Sequence, residues 1–197
     1  GSARLSLIAF SIFSLDLKTT TLPVSLDFAL NSDIYIVFGA SYIKGWLVDF
    51  LLEKKAINIH MGISPYYRGS SCNFWATYHE NYHLVGATIH LLSKGLDSGK
   101  ILYHVIPNTE NCNNCFEFSM NSVKQAHNSI IENIKIGRLL EFTPLIQNKA
   151  QEISYTRNNQ FNDEVVIDFL KNQPSIEYIK YKIKENYDEK LYLNNYQ

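Results

Sequence analysis

Asn58 and His60 stand two residues apart at the end of the apolar run Ala56–His60, and the chain then turns at Ser64-Pro65. If that run is a strand, its period-two alternation points both side chains to the same side. A third polar residue, Asp97, lies in the glycine-flanked stretch Gly95-Leu96-Asp97-Ser98-Gly99 after a later strand, where a parallel sheet would bring its carboxylate to the same edge. An imidazole beside a carboxylate is held in one tautomer and favoured as imidazolium, and a neighbouring amide adds a neutral donor for a carbonyl oxygen. This trio suits acyl transfer to an amine. The amine attacks directly, the His and Asn donors stabilise the oxyanion, and the carboxylate helps remove the amine's proton. Taken singly, Asn58 reads as a turn residue and His60 as a satisfied side chain. The third member raises the pair above those readings.

The elements that must position the trio follow from periodicity. Asp33–Gly39 is a short apolar run rich in β-formers and ended by glycine, which predicts a central strand buried on both faces. Lys44–Lys55 carries Trp46, Leu47, Phe50, Leu51 and Leu52 at helical spacing, and Ala56–His60 is the next strand. Strand, helix, strand implies a parallel pair with a crossover, whose binding sites gather beyond the carboxyl ends of the strands. Beyond these, Ser71–His79 predicts a helix with Phe74, Trp75 and Tyr78 inward, His83–Leu92 a strand, Ser93–Gly99 a tight loop and Lys100–Ile106 a strand. Ser119–Leu140 predicts one long helix on Val123, Ala126, Ile130, Ile134 and Leu139. Gly95 and Gly99 are candidates for positive φ. The fold class is α/β, a Rossmann-like parallel or mixed sheet flanked by helices. A catalytic core spans 1–153, and a polar, tyrosine-rich extension spans 154–197.

Composition bounds the function. A 197-residue chain with 46% hydrophobic and 19% charged residues is an ordinary globular chain. A formal net charge of -1, with Lys and Arg spread along the chain, argues against nucleic acid as a partner. The apolar run Leu5–Phe13 is too short for a membrane span and reads as a buried strand, while Gly1-Ser2 reads as an expression remnant. Cys72, Cys112 and Cys115 cannot all pair, which favours a reducing cytoplasm. Cys112 and Cys115 have metal-ligand spacing, but no second such pair completes a tetrahedral site, so no metal is expected.

Four stretches in order, Asn58-Ile59-His60, Ser64–Gly69, Gly86–His90 and Gly95–Gly99, resemble the formyltransferases that use N10-formyltetrahydrofolate. The resemblance implies that Asn58, His60 and Asp97 are the catalytic residues, with the strand end holding the formyl carbonyl. It also implies a folate site built from Ser41, Tyr42, Ile43 and Lys44 on one side and Leu92, Ser93, Lys94, Gly95, Leu96 and Asp97 on the other. A flat heterocycle suits such apolar walls and main-chain donors. Tyr42 and Ile43, taken without the resemblance, read as ordinary loop packing.

Two departures narrow the match. The family has about two βα units more before Asn58 than fit here, and no glycine-rich phosphate loop follows the first strand, so the N-terminal part reads as shortened or diverged. The missing phosphate loop argues against a glycinamide ribonucleotide acceptor, and the short, weakly basic tail against methionyl-tRNA. The loop SPYYRGSSCNFWA and the stretch Tyr155–Glu164 look like formyltransferases of bacterial surface-polysaccharide pathways, which act on a nucleotide-linked amino-deoxysugar. Tyr66, Tyr67 and Arg68 are then the expected substrate-binding residues; Trp75 could join them or pack in the core. The related sugar enzymes are commonly dimers, which leads to the expectation of a homodimer. A formyltetrahydrofolate hydrolase and a catalytically silent folate-binding module are the remaining alternatives.

Overall fold

The structure, a computed structural model, describes residues 5–9, 31–40 and 43–193. Strand β1 (Leu5–Ala9) pairs in parallel with β2 (Ile34–Phe38), and the rest of the run expected to reach Phe13 lies outside the described residues. A short helix α1 (Trp46–Glu53) follows Gly45, whose φ of 68° turns the chain into it, and β3 (Ile57–His60) then pairs in parallel with β2. Beyond β3 come β4 (Tyr67–Gly69), α2 (Cys72–Tyr78), a 3-10 turn at Tyr82–Leu84, β5 (Ala87–Leu91) and β6 (Ile101–Val105). The expected strand His83–Leu92 is shortened because its first residues form that turn.

The main sheet has the order β1-β2-β3-β5-β6 and is mixed: β5 runs antiparallel to β3, and β6 antiparallel to β5. This corrects the parallel arrangement expected to deliver Asp97. Leu91 pairs with Ile57, so the β5–β6 loop leaves at the starting end of β3 and doubles back to reach His60.

Parity along the strands decides which face is which. Ile36, Ile57, Ile59 and Ile89 are buried with Ala126 and Ile130 of the long helix α3 (Cys115–Lys135). The alternating positions Asn58, His60 and His90 line the opposite face's cleft. Helix α3 starts four residues before the expected Ser119 because Asn114 caps it, its side chain accepting from Glu117 N–H. It ends at Gly137, φ 74°, before a 3-10 turn at Arg138–Leu140.

The C-terminal segment contributes β7 (Ser154–Thr156), α4 (Asp163–Lys171) and α5 (Ile176–Asn186). β7 pairs in parallel with β4 in a second, two-stranded sheet. Gly69, φ 93°, is required there, because a Cβ would collide with the Thr156 carbonyl. Ile176, Ile179 and Tyr192 are buried in one core cluster with Ile63, Trp75 and Phe118. The Tyr192 hydroxyl donates to the His83 carbonyl, and Leu193 N–H donates to His104 Nδ1 at 2.8 Å. Among the described residues no helix is long and apolar enough to cross a membrane.

Candidate active site

The end of β3 presents Asn58 and His60 on the cleft side, and β5 places His90 directly opposite Asn58 in the antiparallel register. His90 Nδ1 lies 2.8 Å from the Leu91 carbonyl oxygen, so it carries the proton and leaves Nε2 as an acceptor. Nε2 lies 3.0 Å from Asn58 Nδ2, which therefore donates to it. That bond sets the Asn58 amide with its oxygen turned away from His90. Burial drives the pKa of His90 down to about 4, with the neighbouring positive His60 also lowering it, so the acceptor form persists at neutral pH.

His60 is 6% exposed, and both of its ring nitrogens face acceptors: Nδ1 is 3.2 Å from Asp97 Oδ1 and Nε2 is 3.1 Å from the Tyr67 carbonyl oxygen. Only the imidazolium donates through both nitrogens. Burial alone would lower its pKa, but the charge of Asp97, with Cys72 and the hydrogen bonds of both, holds it well above the ordinary value. Asp97 shows the reciprocal effect. Its burial favours the neutral acid, yet the charge and hydrogen bond of His60, then His90 and the Gly69 N–H, keep its pKa below the usual carboxylate value. The Gly69 N–H donates to Oδ2 at 3.2 Å, so the two carboxylate oxygens have different partners. His90 Nε2 is 3.9 Å from Oδ1.

Asp97 is itself the left-handed residue of its loop, with φ 46°, whereas neither Gly95 nor Gly99 has a positive φ. Gly99 serves close approach instead. A Cβ there would run into the Leu91 carbonyl and lie 2.7 Å from His90 Nδ1.

These groups floor a cleft of about 570 Å³, whose walls include Val37, Phe38, Met61 and Phe74. Of the positions expected to hold folate, Ile43, Leu92, Ser93, Gly95 and Leu96 line it. Lys94 points elsewhere, its ammonium 3.0 Å from Asp49, and Lys44 is exposed ahead of α1. Ser41 and Tyr42 lie outside the described residues. The expected substrate-binding residues are not on the cleft wall. Tyr66 and Tyr67 are core residues, and the Tyr67 hydroxyl is held by Asn81 at 2.8 Å and His79 at 3.1 Å. Arg68 is buried, with Nη1 2.8 Å from Glu152 and Nη2 2.9 Å from the Leu96 carbonyl. In all three, apolar packing and internal acceptors take side chains that a surface loop would have offered to a ligand. Trp75 is in the core as well.

Sequence reasoning missed His90, whose place opposite Asn58 depends on strand direction, and Cys72 and Asn73, which enter the cleft from the start of α2. The alternation of Thr88 and His90 along β5 was the available signal. Cys72, Cys112 and Cys115 are buried and unpaired, and among the described residues no group of three or more His, Cys, Asp or Glu could hold a metal ion.

A buried cation, a fixed amide and a paired carboxylate on one cleft floor can stabilise negative charge on a carbonyl oxygen while a base stands alongside. The formyl transferase family's sequence profile matches residues 30–134, a stretch containing Asn58, His60, His90 and Asp97. Methionyl-tRNA formyltransferases of Gloeothece citriformis and Trichodesmium erythraeum are each 24% identical over 140 residues, 65% of this chain. The chain spans only 42% and 41% of their respective lengths. Among solved structures, the formyltransferase PseJ from Anoxybacillus kamchatkensis, in complex with UDP-4,6-dideoxy-4-formamido-L-AltNAc and tetrahydrofolate, is similar at a TM-score of 0.57. It is 22% identical, with 87% of this chain and 85% of that chain covered. A sugar N-formyltransferase from Shewanella sp FDAARGOS_354 is similar at a TM-score of 0.51 and 17% identity, covering 66% of this chain and 50% of that one. With more than half of its length inside the family's profile and the same fold, the chain belongs to the formyl transferase family.

Proposed function

We propose that this protein transfers a formyl group from N10-formyltetrahydrofolate to the amino group of a nucleotide-linked amino-deoxysugar. The observation that carries the reading is the buried His60–Asp97 ion pair beside the Asn58 amide, at the floor of a cleft of about 570 Å³. Asn58 donates to the formyl oxygen as negative charge develops there, using the Nδ2–H that His90 does not take. His60 has both N–H groups engaged and acts chiefly through its positive charge. The acceptor amine attacks the formyl carbon, Asp97 helps to take the amine's proton, and collapse of the adduct returns the pair to the carbonyl as N10 of the folate leaves with a proton. Ile43, Leu92, Ser93, Gly95 and Leu96 form the pterin walls in this reading.

The sugar branch is favoured by the sugar bound in the PseJ complex, which is a UDP-linked formamido sugar. The same reading assigns the protein to surface-polysaccharide (O-antigen type) biosynthesis in the cytoplasm as a homodimer, with 154–197 as an extension of one catalytic core, 1–153. Its three unpaired cysteines are in keeping with a reducing compartment. The test is to incubate the protein with N10-formyltetrahydrofolate and a panel of UDP- and dTDP-linked amino sugars, and to follow product mass. Methionyl-tRNA and water alone serve as competing acceptors. A formylated amino sugar is expected; release of formate alone, or a product only with methionyl-tRNA, refutes the assignment. Light scattering tests the dimer.

A further inference from the structure

Asp97 is a non-glycine residue at φ 46° on the cleft floor whose carboxylate reaches His60 and Gly69. Aspartate reaches this region more readily than most residues with a side chain, but a single fixed left-handed geometry still costs free energy that the surroundings must offset. Here the restraint comes from two distant donors. Arg68 Nη2 donates to the Leu96 carbonyl at 2.9 Å, and Gln147 Nε2 donates to the carbonyls of Asp97 at 2.8 Å and Gly99 at 2.7 Å. The Leu96 carbonyl belongs to the peptide plane before the Asp97 Cα, and the Asp97 carbonyl to the plane after it. Holding both planes sets φ and ψ together, and so the direction of the side chain.

Each donor shows the same signature. Arg68 Nε and Gln147 Oε1 are buried without a hydrogen-bond partner, although buried polar atoms are usually paired. This is expected where the carbonyls to be reached dictate the side chain's placement. Arg68 is 7% exposed and is itself held, by Glu152 at 2.8 Å and over the Tyr155 ring at 5.7 Å. Its two neighbours touch the same pair: the Tyr67 carbonyl accepts from His60, and the Gly69 N–H donates to Asp97. Strand β4 is therefore in contact with both members of the ion pair, and it is paired with β7 of the C-terminal segment.

We infer that Arg68 and Gln147 are positioning residues that clamp the peptide planes on either side of Asp97 so that its carboxylate meets His60, with Glu152 keeping Arg68 in place. This rests on the reading of His60 and Asp97 as the working pair. It assigns Arg68 to the protein's own loop rather than to a nucleotide phosphate.

The experiment reads His60 directly, by NMR titration of labelled histidine in the ligand-free protein, with the signal assigned by its loss in His60→Asn. The other groups facing His60 are Cys72, the Tyr67 carbonyl and His90, whose ring centroid is 6.4 Å away, and all are left in place. Arg68→Met and Gln147→Met are expected to move the His60 midpoint acidward, toward its position in Asp97→Asn. In both, kcat should fall on the order of 10- to 100-fold, with KM for the nucleotide sugar changed less than about twofold. Arg68→Lys should recover part of the loss, since one ammonium cannot serve both of the guanidinium's acceptors. If Arg68→Met does not fold, Gln147→Met and the milder Glu152→Gln carry the test. A His60 midpoint unmoved in the folded variants, or a raised KM for the nucleotide sugar as the sole effect of Arg68→Met, overturns the clamp. The titration needs no substrate, so wild-type protein that transfers no formyl group would refute the functional reading and leave the His60 midpoint to decide the clamp.

Discussion

Asp97→Asn removes the charge of the ion pair while leaving its geometry available. Asparagine tolerates the left-handed φ of 46° better than most residues. Its Oδ1 can accept from the Gly69 N–H as Asp97 does at 3.2 Å. Its Nδ2 can donate to the Nδ1 of a neutral His60 whose Nε2–H still reaches the Tyr67 carbonyl. At the observed 3.2 Å separation, an effective dielectric near 20 makes the lost attraction ~5 kcal/mol. Cys72 and the Tyr67 carbonyl offset part of this loss, and the His60 titration moves acidward. The sign follows from linkage. In the wild type the raised His60 pKa contributes stability that is fully present below the unfolded value near 6.5 and is lost as pH rises through the folded value. In the variant burial is opposed by Cys72 without Asp97, so the His60 pKa falls and most of that stability is lost. The stability deficit should be largest in mildly acidic solution and close at alkaline pH. Urea unfolding from about pH 5.5 to about pH 9 measures this, beside formyl transfer, where a loss on the order of 10²- to 10³-fold is expected. A deficit that grows with pH, or a His60 that titrates at the wild-type midpoint, refutes the ion-pair account.

His90→Phe keeps a ring under Asn58 but removes its acceptor, so kcat should fall on the order of 10- to 100-fold with folate affinity little changed; steady-state kinetics with wild-type kcat would refute a role for His90 in orienting the amide. Burial lowers the pKa of both His90 and His104 to about 4, so each contributes stability that is present above the unfolded value and lost as pH falls from about 6.5 toward about 4, worth ~3 kcal/mol apiece. His104→Gln should therefore flatten the acid limb of a plot of unfolding free energy against pH, and an unchanged slope would count against this source. Gly99→Ala places a methyl group against the Leu91 carbonyl and the His90 ring, and a melting-point drop equivalent to ~1–3 kcal/mol is expected alongside lost turnover. A variant of wild-type stability would show that the loop yields more easily than its packing suggests.

Much of the scaffold was legible locally. Period-two alternation placed Asn58 and His60 on one face of β3, and a recurrence of apolar residues every three or four positions located α1 and α3. Helix ends were less legible, because they depend on single caps: Asn114 starts α3 before its apolar stripe begins, and Gly137 stops it before the stripe is exhausted. The residue types of the trio were also readable, since an imidazole, an amide and a carboxylate carry their chemistry wherever they stand. Direction and partnership were decided only by the tertiary structure. Periodicity reports which side a residue faces but says nothing of whether β5 runs with β3 or against it, and that choice puts His90 opposite Asn58 and sends Asp97 back across the sheet. Arg68 looked like a ligand-binding side chain because its acceptors are 28 and 84 residues away in the chain. The left-handed turn fell on Asp97 rather than on a flanking glycine because donors from Arg68 and Gln147 fix the peptide planes there, and no local preference of the sequence encodes a restraint that arrives from elsewhere in the fold.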